Sequence, residues 1–279
     1  MRSKHLGKLL GAVMTAVIAV AMLAPAAQAT TPAPGYSQFA GCPDPATEPI
    51  GAGVELCIFS TVKSGSFKMG SKTVPIEKPI TVSGGSNGEF ENFVANSKGG
   101  LSKAKQKVPG GVIGITGLTW LAEFLGSSAL TLYATTELAG QPVLKGATDI
   151  TLPIKVHLEN TTGVLGPNCY VGSVGSPITL HMITGTTSPP GPNTPITGKN
   201  PEFSFDPTLQ ILHLKNGEYV DNSFSAPGAS GCVLTLFGFI PINLNPLVNL
   251  QAGLPSPAGK NETRQVIDTE IGEPYLIYP

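Results

Sequence analysis

The stretch Asp149–Asn160, DITLPIKVHLEN, decides the fold. Ile150, Leu152, Ile154, Val156 and Leu158 fall on one side of an extended chain; Thr151, Pro153, Lys155, His157 and Glu159 fall on the other. Strict period-two alternation predicts a strand with one buried face and one wet face, the habit of an antiparallel sheet. Ser176–Gly185, SPITLHMITG, repeats the pattern with Ile178, Leu180 and Met182 inward. Val54–Val62, Thr73–Val82, Phe203–Val220 and Gly231–Leu244 read as further short strands. Lys215-Asn216-Gly217-Glu218 predicts a hairpin turn, because Asn-Gly accepts the left-handed backbone such turns need. The predicted fold class is mainly β: an antiparallel β-sandwich with one or two short helices and long Pro/Gly-rich loops, stapled by disulfides.

The segments between these strands carry turn and helix punctuation. The chain holds 34 glycines and 26 prolines against only 13% charged residues, which favours strands and turns over helical bundles. Ser83–Lys107 is polar and Gly-rich and reads as a long loop, its lysines solvated. Leu118, Leu121 and Leu125 recur at helical spacing, predicting a short helix over Thr119–Leu125 closed by Gly126, with Trp120 as a core or lid aromatic. Thr186–Gly198, TTSPPGPNTPITG, cannot pair centrally in a sheet because prolines lack the donor. Asn245, Pro246 and Gly253 bracket a predicted helix, and Glu273–Pro279 reads as a terminal strand.

The amino terminus has the three zones of a secretory signal peptide. Arg2, Lys4 and Lys8 precede an uncharged apolar run from Leu9 to Leu23, and Ala27-Gln28-Ala29 offers a small-x-small cleavage site. Residues 1–29 are therefore the expected signal peptide and 30–41 a flexible Pro-rich tether. Residues 42–279 form the β-sandwich, either whole or as two packed subdomains split near 145–150. Gly110–Ala134 is long enough to span a membrane, but its glycines and strand-like half argue against one helix, so no transmembrane segment is expected in the mature chain. Without the three leader cations, 14 basic residues face 18 acidic ones, and Arg264 is the only arginine. That balance argues against nucleic acid as a partner.

Four cysteines remain after export: Cys42, Cys57, Cys169 and Cys232. An even count in an oxidising compartment reads as two disulfides. Of three possible pairings, Cys42–Cys57 closes a short local loop and Cys169–Cys232 joins two strand-like regions, and this pairing is expected. No pair shows zinc-type C-x2-C spacing, and no cysteine lies near a histidine.

Tests for chemistry return no catalytic, metal or cofactor residues. Tyr219–Cys232, YVDNSFSAPGASGC, is rich in serine but lacks the G-x-S-x-G elbow that exposes a hydrolase nucleophile. A convergent triad would draw on Ser230, one of His157, His181 and His213, and Asp206 or Asp221. The simpler reading has Asp221 and Asn222 bonding nearby backbone to fix the bend leading to Cys232. His157 and His181 could meet across a sheet face, yet no H-x-H or H-E-x-x-H spacing is present. Glu89, Glu91, Glu270 and Glu273 sit in no aromatic-rich cleft of the kind that holds sugars.

The series CYVGSVGSPITLHMITGTTSPP, YVDNSFSAPGASGC and NPLVNLQAGLPSPAGKNE, within Cys169–Thr263, resembles uncharacterised exported β-rich proteins of actinobacteria. The resemblance covers about a third of the chain and implies a secreted β-rich fold without assigning any residue a role. The expected function is a secreted, non-catalytic extracellular or cell-envelope protein with a structural, adhesive or ligand-binding role. Its candidate partners are cell-envelope glycan or lipid. The alternative is an exported lipid- or apolar-ligand-binding protein, since Gly231–Gln251 carries no charge. An extracellular hydrolase with a non-standard constellation is the third reading.

Overall fold

The computed structural model describes residues 31–90, 92–126 and 130–279. The expected signal peptide and Glu91 lie outside the described residues. A long first strand, β1 (Leu56–Met69), turns back through β2 (Lys72–Pro75) and β3 (Ile80–Ser86). Short strands β4 (Phe93–Val94), β5 (Gly100–Leu101) and β6 (Lys105–Lys107) follow, then helices α1 (Gly111–Thr116) and α2 (Trp120–Leu125). The middle of the chain supplies β7 (Leu132–Leu138), β8 (Val143–Leu144), β9 (Asp149–Asn160), β10 (Tyr170–Val171) and β11 (Ile178–Ile183). The last part holds β12 (Glu202–Asp206), β13 (Ile211–Asp221), β14 (Ala229–Ser230), β15 (Val233–Leu236), β16 (Ile240–Asn243), α3 (Asn245–Ala252), β17 (Glu262–Gly272) and α4 (Pro274–Ile277).

The fold is mainly β, as the alternation in Asp149–Asn160 predicts. Among the described residues, fifteen strands join one antiparallel sheet whose main path is β14-β10-β9-β11-β13-β17-β1-β3-β4. Strands from both sides of residues 145–150 belong to it. In β9 the expected inward set holds: Ile154, Val156 and Leu158 are buried, and Ile154, Leu152 and Ile150 lie opposite Ile178, Leu180 and Met182 of β11. The sheet curls until its flanks approach, with β2 beside β6 and β5 beside β7.

Side chains close this seam where the backbone ladder does not. Gln106, buried on β6, accepts hydrogen bonds from the amides of Glu77 and Lys78 at 2.9 and 3.0 Å and donates to the Lys78 carbonyl at 2.8 Å. Beside the seam, at the end of the β3–β5 ladder, Ser102 Oγ accepts from the Thr81 amide at 2.7 Å. These bonds satisfy backbone groups that would otherwise be stranded at a buried edge.

Both disulfides form as expected, Cys42–Cys57 and Cys169–Cys232. The first lies against β3, where a side chain on Gly85 would meet Val54 at 2.5 Å and the Cys42 sulfur at 3.1 Å. Only glycine lets the strand pass so close. Ser83–Lys107 is thus not the long loop its composition suggests: it contains the end of β3 and all of β4, β5 and β6. Gly84, Gly85 and Gly99 serve close packing, not freedom.

Three other expectations are corrected. Residues 31–41 are no loose tether. Phe39 is fully buried and Tyr36 nearly so, and both join Cys42, Val54, Cys57, Ile211 and Ile277 in a second apolar cluster outside the curl. The Ala33 amide bonds the Ile277 carbonyl at 2.8 Å, so the two ends of the described chain hold one another. Asn216-Gly217 makes no hairpin: β13 runs straight through it, and its register against β17 shifts between Leu214 and Gly217, with Asn216 at φ 57°. The same left-handed tolerance serves a β-bulge. Glu273–Pro279 forms the helical turn α4, not a strand, because Pro274 sits in its first turn and Ile277 and Tyr278 pack inward. The predicted helices at Thr119–Leu125 and Asn245–Gly253 are present within a residue at each end. Trp120, though, is 45% exposed and belongs to no core.

Candidate functional site, an apolar cavity inside the curled sheet

Curling the sheet brings its one-sided strands to face each other across an interior they do not fill. The cavity holds about 150 Å³ and is lined by the inner faces of β1, β2, β3, β7, β9, β11 and β17, with Val248 and Ala252 of α3 at one side. A bulge between Val62 and Ser64 positions the wall. It switches the parity of β1, so that Ile58, Ser60 and Val62 face in before it and Phe67 and Met69 face in after it. Phe67, Met69, Val74, Leu101, Ile150 and Leu152 point into the interior yet stay only partly covered. Interiors of proteins are normally close-packed, so incomplete cover on inward apolar side chains marks unfilled space.

Of the polar groups in the wall, Ser60, Gln265 and Gln106 are already bonded, and Thr136 and Lys72 complete the polar lining. Ser60 and Thr269 share a hydroxyl hydrogen bond of 2.8 Å. Gln265 donates to Thr263 at 3.0 Å, and Gln106 uses its amide to seal the seam. A cavity of this size and largely apolar wall admits apolar guests, because over most of its surface water would find no partners. The chemistry on offer is burial of hydrocarbon.

The histidines and serines of the sequence reading lie on the outer face and do not converge. His157 stacks on Tyr170, ring centroids 4.5 Å apart, with Nε2 at 3.1 Å from the Pro167 carbonyl. His181 Nε2 pairs with Asp149 at 2.9 Å, while its backbone amide donates to Asp221 at 2.8 Å. His213 faces Glu270 at 3.5 Å. Tyr170 stands in register between Ser230 and His157. Two strand spacings, roughly 9–10 Å, therefore separate that serine from that imidazole, beyond the reach of a nucleophile–base hydrogen bond. Among the described residues, no serine hydroxyl bonds a histidine ring, and no group of three or more His, Cys, Asp or Glu is placed to hold a metal.

The remaining candidates have local structural partners. Asp221 also accepts from the amide and hydroxyl of Ser223 at 2.8 and 2.7 Å. Asn222 donates to the Thr194 carbonyl at 2.8 Å, tying the bend before Cys232 to the proline-rich loop. Backbone amides of Leu209 and Thr208 hold the Asp206 carboxyl below its usual range and close the β12–β13 turn. Glu89 is exposed, Glu270 accepts from Gln38 at 2.9 Å, and Glu273 precedes α4. Burial pushes the Tyr219 phenol up to about 12, and its hydroxyl bonds the Ala147 carbonyl. Tyr278 is likewise pushed up to about 12, first by burial and then by the charges of Glu48 and Asp44.

No family model matches this chain, and no curated protein or solved structure matches it.

The cavity itself escaped sequence reasoning. Alternation along β9 and β11 identifies which side chains point inward, but whether they meet opposing side chains or empty space depends on the curvature of the whole sheet. One signal was present: the opposing positions of β17 are Thr263, Gln265 and Thr269, too small or too polar to fill a core.

Proposed function

We propose that this is an exported, non-catalytic protein that binds an apolar ligand, such as part of an acyl chain, inside its curled sheet. The observation that carries the reading is the interior of about 150 Å³, walled chiefly by β-branched, leucine and methionine side chains, with Ser60, Gln106 and Gln265 bonded elsewhere. Water's share of liquid volume is about 30 Å³, so the space corresponds to roughly five water-sized groups, a short hydrocarbon segment. Orientation within it would come from shape and from Lys72, the one charged side chain in the lining. Two disulfides support a place outside the cytoplasm. The leader-like amino terminus supports export.

Native mass spectrometry of the processed, secreted protein tests this directly. The expected spectrum shows a co-purifying apolar small molecule, or uptake of a fluorescent polyene fatty acid at a stoichiometry of one. Val156→Phe, which places a ring in the cavity, is expected to abolish uptake while the protein stays folded. Absence of both a bound molecule and probe uptake in the wild type would sink the reading.

A further inference from the structure

The hairpin β15–β16 belongs to no other sheet: its two strands pair only with each other. Every residue of β16 is exposed, while on β15 Leu234 is buried and Leu236 packs against the core, so the ribbon is seated on the body along β15 and presents β16 and its tip to solvent. Its tip is apolar. Phe237 is 80% exposed and Phe239 73%, followed by exposed Ile240 and Ile242. The two rings lie 6.5 Å apart and tilted.

Folding does not account for these residues. The turn takes positive φ at both central positions, 54° at Phe237 and 80° at Gly238. Such turns select Asn or Asp before Gly, and a phenylalanine there is conformationally disfavoured. Core packing does not select it either, since the ring is in solvent. An exposed aromatic held in an unfavourable backbone points to a role at the tip itself. The base, by contrast, is rigid. Cys232 is bonded to Cys169, its amide donates to Asn245 at 2.8 Å, its carbonyl accepts from Leu244 at 2.8 Å, and the Val233 amide reaches the Leu165 carbonyl at 3.0 Å.

We infer that this hairpin is a wedge that docks the protein on a phospholipid surface, with Phe237 and Phe239 entering the interfacial layer. Two observations favour a bilayer over a second protein. The two phenylalanines of the tip offer an apolar area on the order of 400 Å², taking about 200 Å² for each ring. A stable protein interface needs about 800 Å² from each partner. A narrow convex tip inserts into lipid without needing a complementary groove. The surrounding stretch Gly231–Gln251 also contains no Asp, Glu, Lys, Arg or His, so nothing resists entry into a medium of low polarity. With more acidic than basic residues in the chain, attraction is apolar and not ionic.

Flotation with phosphatidylcholine vesicles tests the wedge. The wild-type secreted protein should float with the vesicles, equally at low and high salt. Phe237→Asp and Phe239→Asp should each lower partitioning about tenfold or more, with an unchanged melting temperature because neither ring touches the core. A Trp120→Phe, Phe237→Trp double variant leaves one tryptophan, and its emission should shift to the blue on adding vesicles. Val156→Phe, which fills the cavity, should float normally, so failure of the wedge and failure of cavity binding are separable. A wild-type protein left in the soluble fraction would overturn the inference. So would undiminished flotation of the Phe237→Asp, Phe239→Asp double variant, or a concentration-dependent dimer abolished by those substitutions.

Discussion

Leu180 offers the sharpest test of an unfilled interior. It is 1% exposed, lies on β11 opposite Leu152 of β9, and borders the cavity. Truncation to alanine removes buried carbons and merges their space with about 150 Å³ already empty. The site cannot collapse around the loss, so the cost belongs near the upper part of the range for such changes, about 4 kcal/mol. For a domain of this size, each kcal/mol moves the melting temperature by roughly 2–4 °C, giving a fall of about 8–16 °C. Enlargement to phenylalanine has the opposite significance. In a close-packed core it costs about 1–3 kcal/mol through forced rotamers and backbone shifts. Beside vacant space the ring has somewhere to go, and Leu180→Phe should stay within about 1 kcal/mol of wild type, a shift below about 4 °C. Differential scanning calorimetry on the ligand-stripped protein measures both. A Leu180→Phe penalty above about 2 kcal/mol would mean the interior is packed, and the argument for a binding cavity would fail with it.

Further outcomes follow from the seam, the charges and the staples. Gln106→Ala leaves two amides and a carbonyl without partners and should cost about 2–4 kcal/mol. Hydrogen exchange at Glu77 and Lys78 should accelerate selectively, and unchanged protection there would refute the sealing role. Burial raises the Asp268 carboxyl, but the Asn216 amide and Lys63 outweigh it and hold it below its usual range; Glu159 is held down the same way by Lys105 and Thr135. Both contribute stability that is complete above about pH 4 and lost as pH falls through the lower folded values. Asp268→Asn should therefore flatten the acid side of the melting-temperature profile, and an unaltered acid limb would count against these bonds. Replacing both cysteines of the 63-residue loop Cys169–Cys232 by alanine should cost about 4 kcal/mol, and of the 15-residue loop Cys42–Cys57 about 3. Equal losses near zero in calorimetry would remove the staples from the account of stability.

The parts of the fold legible in the sequence are those governed by local periodicity. Alternation placed β9 and β11 with their inward faces, loop length favoured the observed disulfide pairing, and Gly126 and Gly253 ended two helices. The central strand β17 was not read as a strand at all, although it joins β1 to β13. Its alternation is real but written largely in charge: Glu262, Arg264, Asp268 and Glu270 face out, while Thr263, Gln265, Ile267, Thr269 and Ile271 face in. With only Ile267 and Ile271 large and apolar among those inward positions, hydrophobic periodicity had little to detect. The outer set is instead matched across the sheet, Asp268 with Lys63 at 2.9 Å and Glu270 with His213. Such pairs are weak individually but fix register between neighbours.

The candidate site shows why that strand matters. A fully apolar β17 would have filled the curl and made an ordinary core. Threonine and glutamine at Thr263, Gln265 and Thr269 cannot project hydrocarbon across it, and they bond one another or Ser60 instead. The wall opposite β9 and β11 is therefore thin, and the large side chains of those two strands face space. The same residues that hid β17 from hydrophobic patterning create the vacancy. A swap of Thr269 to isoleucine puts this to the test: it adds hydrocarbon to the thin wall while freeing the Ser60 hydroxyl from its 2.8 Å bond. If the polar inner face exists to keep the interior open, Thr269→Ile should reduce fatty-acid probe uptake with little loss of stability, because burial gained offsets a hydrogen bond worth about 1 kcal/mol. Undiminished uptake would show that the space is set by sheet curvature alone and that β17 is polar for some other reason.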